Sequence, residues 1–128
     1  MREFQRNVER WVKTCFGLEI ANDLPERNHR FLEETLELVQ SCGMSSDDAH
    51  RLVDYVYSRP VGINFQEVGG VLVTLTALCG AQHIYMGEAA EAELTRIEKQ
   101  DVMEKIRAKQ ATKPQYPGKL NGEPDIRL

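Results

Sequence analysis

Three glutamates, Glu33, Glu34 and Glu37, lie within the segment Arg30-Phe31-Leu32-Glu33-Glu34-Thr35-Leu36-Glu37-Leu38-Val39. If that segment is helical, a period of about 3.6 residues per turn brings all three into an arc of roughly 100°. Carboxylates so close repel one another, and a hard divalent cation with oxygen ligands neutralises them. An amphipathic helix with a charged outer arc gives the same pattern without any ligand, and Arg30, four residues before Glu34, offers a local ion pair. A fourth carboxylate, Glu67, stands near the start of the apolar run FQEVGGVLVTLTALCGA, on the same helical face as Gly70 and Thr74. It either caps a helix there or, if the two segments pack together, joins Glu34 and Glu37 in one cavity, as carboxylate metal sites in helical bundles do.

The elements that must carry these residues follow from periodicity and punctuation. Phe4, Val8, Trp11, Val12 and Cys15 recur at three- and four-residue spacing, so a first helix ends near Gly17. Asn22-Asp23-Leu24-Pro25 supplies a turn and a proline suited to a first helical turn, and a second helix runs from about Pro25 to Cys42, stopping at Gly43. Ser45 and Asp48 have capping-box spacing ahead of a third helix over roughly 46–58, which Pro60 and Gly62 break. Asn64 and Glu67 have the spacing to cap a fourth. That run lacks strict alternation and is too long for an ordinary strand, so it reads as a buried central helix. Gly69 and Gly70 weaken such a helix by up to about 1 kcal/mol each, which points to another backbone or a ligand approaching there. From Gly87 to Gln110 a long charged helix follows, with Leu94, Ile97, Val102 and Ile106 as its apolar stripe. Residues 111–128, with three prolines and two glycines, read as an extended or disordered tail. The expectation is an all-α bundle of four to five helices over residues 1–110.

The stretches Glu33-Glu34-Thr35-Leu36-Glu37 and Glu67-Val68-Gly69-Gly70-Val71-Leu72 resemble the MazG-like nucleoside triphosphate pyrophosphohydrolases. Those proteins carry E-x-x-E on one helix and E-x-x-D on a later one. The resemblance covers roughly residues 27–79, and it departs from the family at Gly70, which stands where the family has aspartate and cannot ligate anything. It implies a magnesium ion, with manganese as its substitute, held by Glu34, Glu37 and Glu67. Glu33 or Asp54 is then a conceivable replacement for the lost fourth ligand. Glu33 also matches the family's extra glutamate, and its implied role is orienting or deprotonating the attacking water. The implied products are a nucleoside monophosphate and pyrophosphate, and the implied assembly is a homo-dimer or homo-tetramer.

Lys105, Arg107 and Lys109 form a basic cluster that fits the outer phosphates, or else pairs with Glu98, Asp101 and Glu104. Trp11 and Phe31 are the aromatic candidates for stacking on the base, with Phe16 and His29 nearby in sequence, and core packing explains Trp11 and Phe31 equally well. His29 has no second histidine at ligand spacing.

The 128 residues are 41% hydrophobic and 28% charged, which suits one globular domain. A formal charge of −4 lacks the footprint of a protein that coats nucleic acid. The N-terminus, MREFQRNVERWVK, has no continuous apolar stretch, so neither a leader nor a membrane span is expected. Three scattered cysteines read as reduced thiols of a cytoplasmic protein. Two rivals to the hydrolase remain at this level. One is a catalytically degenerate nucleotide-binding or regulatory protein of the same fold, and the other is an interaction module whose glutamates are merely solvated.

Overall fold

The computed structural model of the chain describes residues 1–113, and the expected tail falls almost wholly outside them. All seven of its described elements are helices: α1 (Arg2–Phe16), α2 (Leu18–Ala21), α3 (Leu24–Ser41), α4 (Ser46–Tyr57), α5 (Asn64–Ala81), α6 (Met86–Ile97) and α7 (Gln100–Gln110). They form two compact units, one of residues 1–35 with the segment from 93 onward, the other Leu36–Ala92. No single described helix is long and apolar enough to cross a membrane.

Local chemistry sets most boundaries. Gly17, at φ 85°, ends α1 where an L side chain is strained, and α2 follows as a four-residue turn that the sequence reading did not anticipate. The Asp23 carboxylate accepts the Glu26 N–H at 3.2 Å and so caps α3. At the other end Met44 N–H reaches Val39 O at 3.0 Å and Gly43 N–H reaches Gln40 O at 3.0 Å, the paired bonds of a Schellman turn, with Gly43 at φ 93°. The Ser45 hydroxyl accepts the Asp48 N–H at 3.1 Å and starts α4 as expected. Asn64 is different: it is the first helical residue of α5, and the capping position falls to Ile63, whose side chain has nothing to offer. The single long helix expected from Gly87 to Gln110 is two, because Lys99 adopts extended backbone (φ −67°, ψ 136°) between α6 and α7.

In the unit holding the chain's N-terminus, α1 packs against α2 and α7. Cys15, Leu94 and Met103 are buried there, and Phe4, Val8, Trp11, Val12, Ile97, Val102 and Ile106 are half-buried, so the apolar stripes read from the sequence do face inward. Trp11 meets Phe16 edge-on at 5.8 Å, and its Nε1–H donates to Ile97 O at 2.8 Å. The Arg107 guanidinium donates to the end of α1, at Cys15 O (2.7 Å) and Thr14 O (3.2 Å), where a cation also complements the helix dipole. Burial pushes the Cys15 thiol up, and Arg107 opposes that push only in part.

The unit Leu36–Ala92 is built otherwise. None of its residues is buried. Ile84 N–H to Cys79 O (2.9 Å) and His83 N–H to Gly80 O (3.2 Å) end α5 with the same paired bonds that end α3, and His83 takes the left-handed position at φ 59°. Gln82 Nε2–H donates to Cys42 Sγ at 2.8 Å, linking the two turns.

Candidate functional site

The acidic helix forms, and it places its glutamates in three different settings. Glu33 is half-buried in the N-terminal unit, with one oxygen 2.8 Å from Arg30 Nη1 and the other 2.6 Å from Lys113 Nζ. The Lys113 hydrogen bond, aided by the charges of Lys113, Arg30 and His29, holds its carboxyl below the usual range despite some desolvation. Such a group stays ionised and accepts hydrogen bonds well, but it is a poor proton acceptor. Glu34, one residue on, is exposed, and its negative charge is felt by Arg96. Glu37 is exposed one turn further along α3 and makes no ion pair among the described residues. Arg30 spans Glu26 (3.1 Å) and Glu33.

Glu67 occupies the first turn of α5, and its carboxylate folds back over Gly62, filling the space a Cβ there would need. A side chain at Gly62 would have to displace that flexible carboxylate, and the backbone angles of Gly62 do not themselves call for glycine. Three residues on, Gly70 faces open space, as Gly69 does: nothing lies within 4 Å of where either Cβ would stand. The close approach that these glycines suggested is not made within the described chain. Asp54 is exposed on α4.

Among the described residues, no group of three or more His, Cys, Asp or Glu side chains is gathered closely enough to hold a metal ion. The donors at Glu34, Glu37 and Glu67 are of the right kind for magnesium, being hard carboxylate oxygens exposed to water.

The remaining candidates divide between structural and solvent-facing positions. Arg107 is committed to the end of α1, whereas Lys105 and Lys109 are exposed without an ion pair among the described residues. Trp11 is engaged by Phe16 and Ile97, as a core residue would be, while Phe31 is 55% exposed.

One charged residue of consequence carried no signal in the sequence. Glu26 is only 2% exposed, paired with Arg30 Nε at 3.1 Å and hydrogen-bonded by Gln110 Nε2–H. It lines a cavity of about 380 Å³ together with Cys15, Phe16, Ile20 and Arg107. Beside that cavity the Arg27 guanidinium lies over the Phe16 ring at 5.7 Å. Nothing in the local pattern distinguished Glu26 from the other charges of α3, because its burial depends on α7, which is 74 or more residues away in sequence.

Comparison with models of known families, with curated proteins and with solved structures finds no match.

Proposed function

We propose that the protein is a metal-dependent nucleoside triphosphate pyrophosphohydrolase, releasing pyrophosphate and a nucleoside monophosphate, of the MazG-like helical type. The observation that supports this reading is the order of the carboxylates along the helices. Glu34 and Glu37 stand exposed one turn apart on α3, and Glu67 opens α5, the two-helix order of the MazG-like motifs. Glu34, Glu37 and Glu67 are the residues that would hold magnesium or manganese. When bound, the ion would neutralise charge on the triphosphate and polarise the α-phosphoryl group.

The chain's own side chains divide the remaining work. Glu33, kept ionised by Lys113 and Arg30, suits orienting the attacking water better than taking its proton. Lys105 and Lys109 are the exposed cations available to the outer phosphates, and Arg107 serves them indirectly by fixing the last turn of their helix against the end of α1. Phe31 is the ring available to stack on a base, while Trp11 is engaged by Phe16 and by the Ile97 carbonyl. The setting proposed is the cytoplasm, with a homo-dimer or homo-tetramer as the working assembly. Neither a nucleic acid polymer nor a membrane is a proposed partner.

The second reading, a degenerate nucleotide-binding or regulatory protein, is favoured by Gly70, which gives the second motif no fourth carboxylate. One experiment separates the two. The purified chain is incubated with ribo- and deoxyribonucleoside triphosphates and Mg²⁺, Mn²⁺ or chelator, and pyrophosphate and monophosphate are quantified. Metal-dependent release that Glu37→Gln abolishes supports the enzyme. A nucleotide that raises the melting temperature but yields no product supports the binder.

A further inference from the structure

In the N-terminal unit, residues of α1, α2, α3 and α7 surround the cavity of about 380 Å³ that Cys15, Phe16, Ile20, Glu26, Arg107 and Gln110 line. Pockets for small molecules run from about 300 to 1,000 Å³. Arg107 is an exposed member of the lining, so the cavity is reachable from water. The charges around it do not balance. Glu26 is met by Arg30 at 3.1 Å and by the Gln110 amide. Arg107 donates only to the Cys15 and Thr14 carbonyls, which accept its N–H groups but carry no net charge. Half-buried Arg27 stands beside the cavity, its guanidinium 5.7 Å from the centre of the Phe16 ring. Its Nε and Nη2 are shut off from water and have no hydrogen-bond partner among the described residues. The ring face meets the positive charge but leaves those N–H donors without an oxygen acceptor. Buried donors of this kind are rare, and each points to an acceptor that the chain does not itself supply.

We infer that this cavity binds a small carboxylate with an apolar body, its head held by Arg27 and its body set against Phe16, Ile20 and Cys15. The planar fork of a guanidinium matches a carboxylate with two parallel hydrogen bonds. Glu26 stands in the same wall, so a head with one negative charge suits the cavity better than a doubly charged phosphate ester. Phe16, Ile20, Cys15 and Ala111 offer apolar contact that a bare inorganic anion leaves unused. The inference does not depend on nucleotide hydrolysis: Glu34, Glu37 and Glu67 take no part in the lining, and a protein without turnover satisfies it equally.

Titrating the full chain with phenylacetate, acetate and phenyl phosphate, at constant ionic strength and without metal or nucleotide, tests it by NMR. The expected result is a saturable response to phenylacetate, with the largest backbone amide shifts in residues 15–20, at Glu26 and Arg27, and at Gln110. Acetate, which has the head without the body, is expected to bind at least tenfold more weakly. Arg27→Gln is expected to weaken phenylacetate at least tenfold, and Arg27→Lys, which keeps the charge but not the fork, should not restore it. Amide shifts in the unaltered protein locate the site even if these variants fold poorly. The absence of a saturable response to phenylacetate overturns the inference, as do shifts confined to residues 36–92. An Arg27→Gln protein that folds and binds as tightly as the parent overturns it too, and so does acetate binding as tightly as phenylacetate. Tighter binding of phenyl phosphate than of phenylacetate overturns the choice of a carboxylate.

Discussion

Glu26 shows what a single buried charge commits the chain to. Its carboxylate is balanced by Arg30 and Gln110, so removing it takes the acceptor from the Gln110 amide and one of two carboxylates from the Arg30 guanidinium. Glu26→Ala should cost about 1–3 kcal/mol in urea unfolding, whereas exposed Glu37→Ala should change stability by less than about 0.5 kcal/mol. Glu33 gives a pH-dependent counterpart. Its folded carboxyl titrates below the ordinary value, so its contribution is present above the unfolded pKa and is lost as pH falls through the folded one. Lys113→Ala should therefore lower stability at neutral pH, and the difference from wild type should vanish in acid. Cys15, buried and shifted upward, should resist thiol reagents until the protein unfolds, while exposed Cys42 reacts at once. The exposed glutamates Glu34 and Glu37 were legible because helical spacing alone puts them on one face. The burial of Glu26 and the pairing of Glu33 with Lys113 were not, since Gln110 and Lys113 reach them across 84 and 80 residues of sequence.

At the scale of elements, apolar periodicity located four of the helices to within a residue or two, because glycine, proline and serine mark their ends for plain steric and hydrogen-bonding reasons. Where the sequence reading failed, the deciding residue is one that its type does not announce. Lys99 interrupts α6 and α7 in a stretch whose composition favours continuous helix. His83 closes α5 in the left-handed conformation for which Gly43 serves at the end of α3. An L residue there carries strain of about 1–2 kcal/mol, so His83→Gly should raise stability by about 0.5–1 kcal/mol after glycine's greater unfolded freedom is counted. Gly43→Ala should lower it by a similar amount, and thermal unfolding of the two variants checks both signs. Gly62→Ala tests another local dependence: it should displace the Glu67 side chain with little change in helix content, readable by comparing its crystal structure and circular dichroism with those of the parent.

The whole molecule joins a unit with a small buried core to one without any. Periodicity and punctuation were sufficient to give an all-α chain, but they could not reveal that α5, read as a buried central helix, lies uncovered in a single copy. Periodicity reports which side of a helix is apolar and not what lies against it. The catalytic proposal meets the same boundary, because carboxylates on two helices become a metal site only if packing gathers them. Gly70 offers a way to test that gathering, since its surroundings leave room for a side chain. If the proposed site forms, Gly70→Asp should tighten the magnesium dependence of turnover without loss of folding. The most direct measurement remains the rate of pyrophosphate release from nucleoside triphosphates as magnesium is titrated into the unaltered protein. The account predicts release that saturates with the metal, stops with chelator and is lost in Glu37→Gln. Folded protein that yields no pyrophosphate from any nucleotide at any magnesium concentration would contradict it.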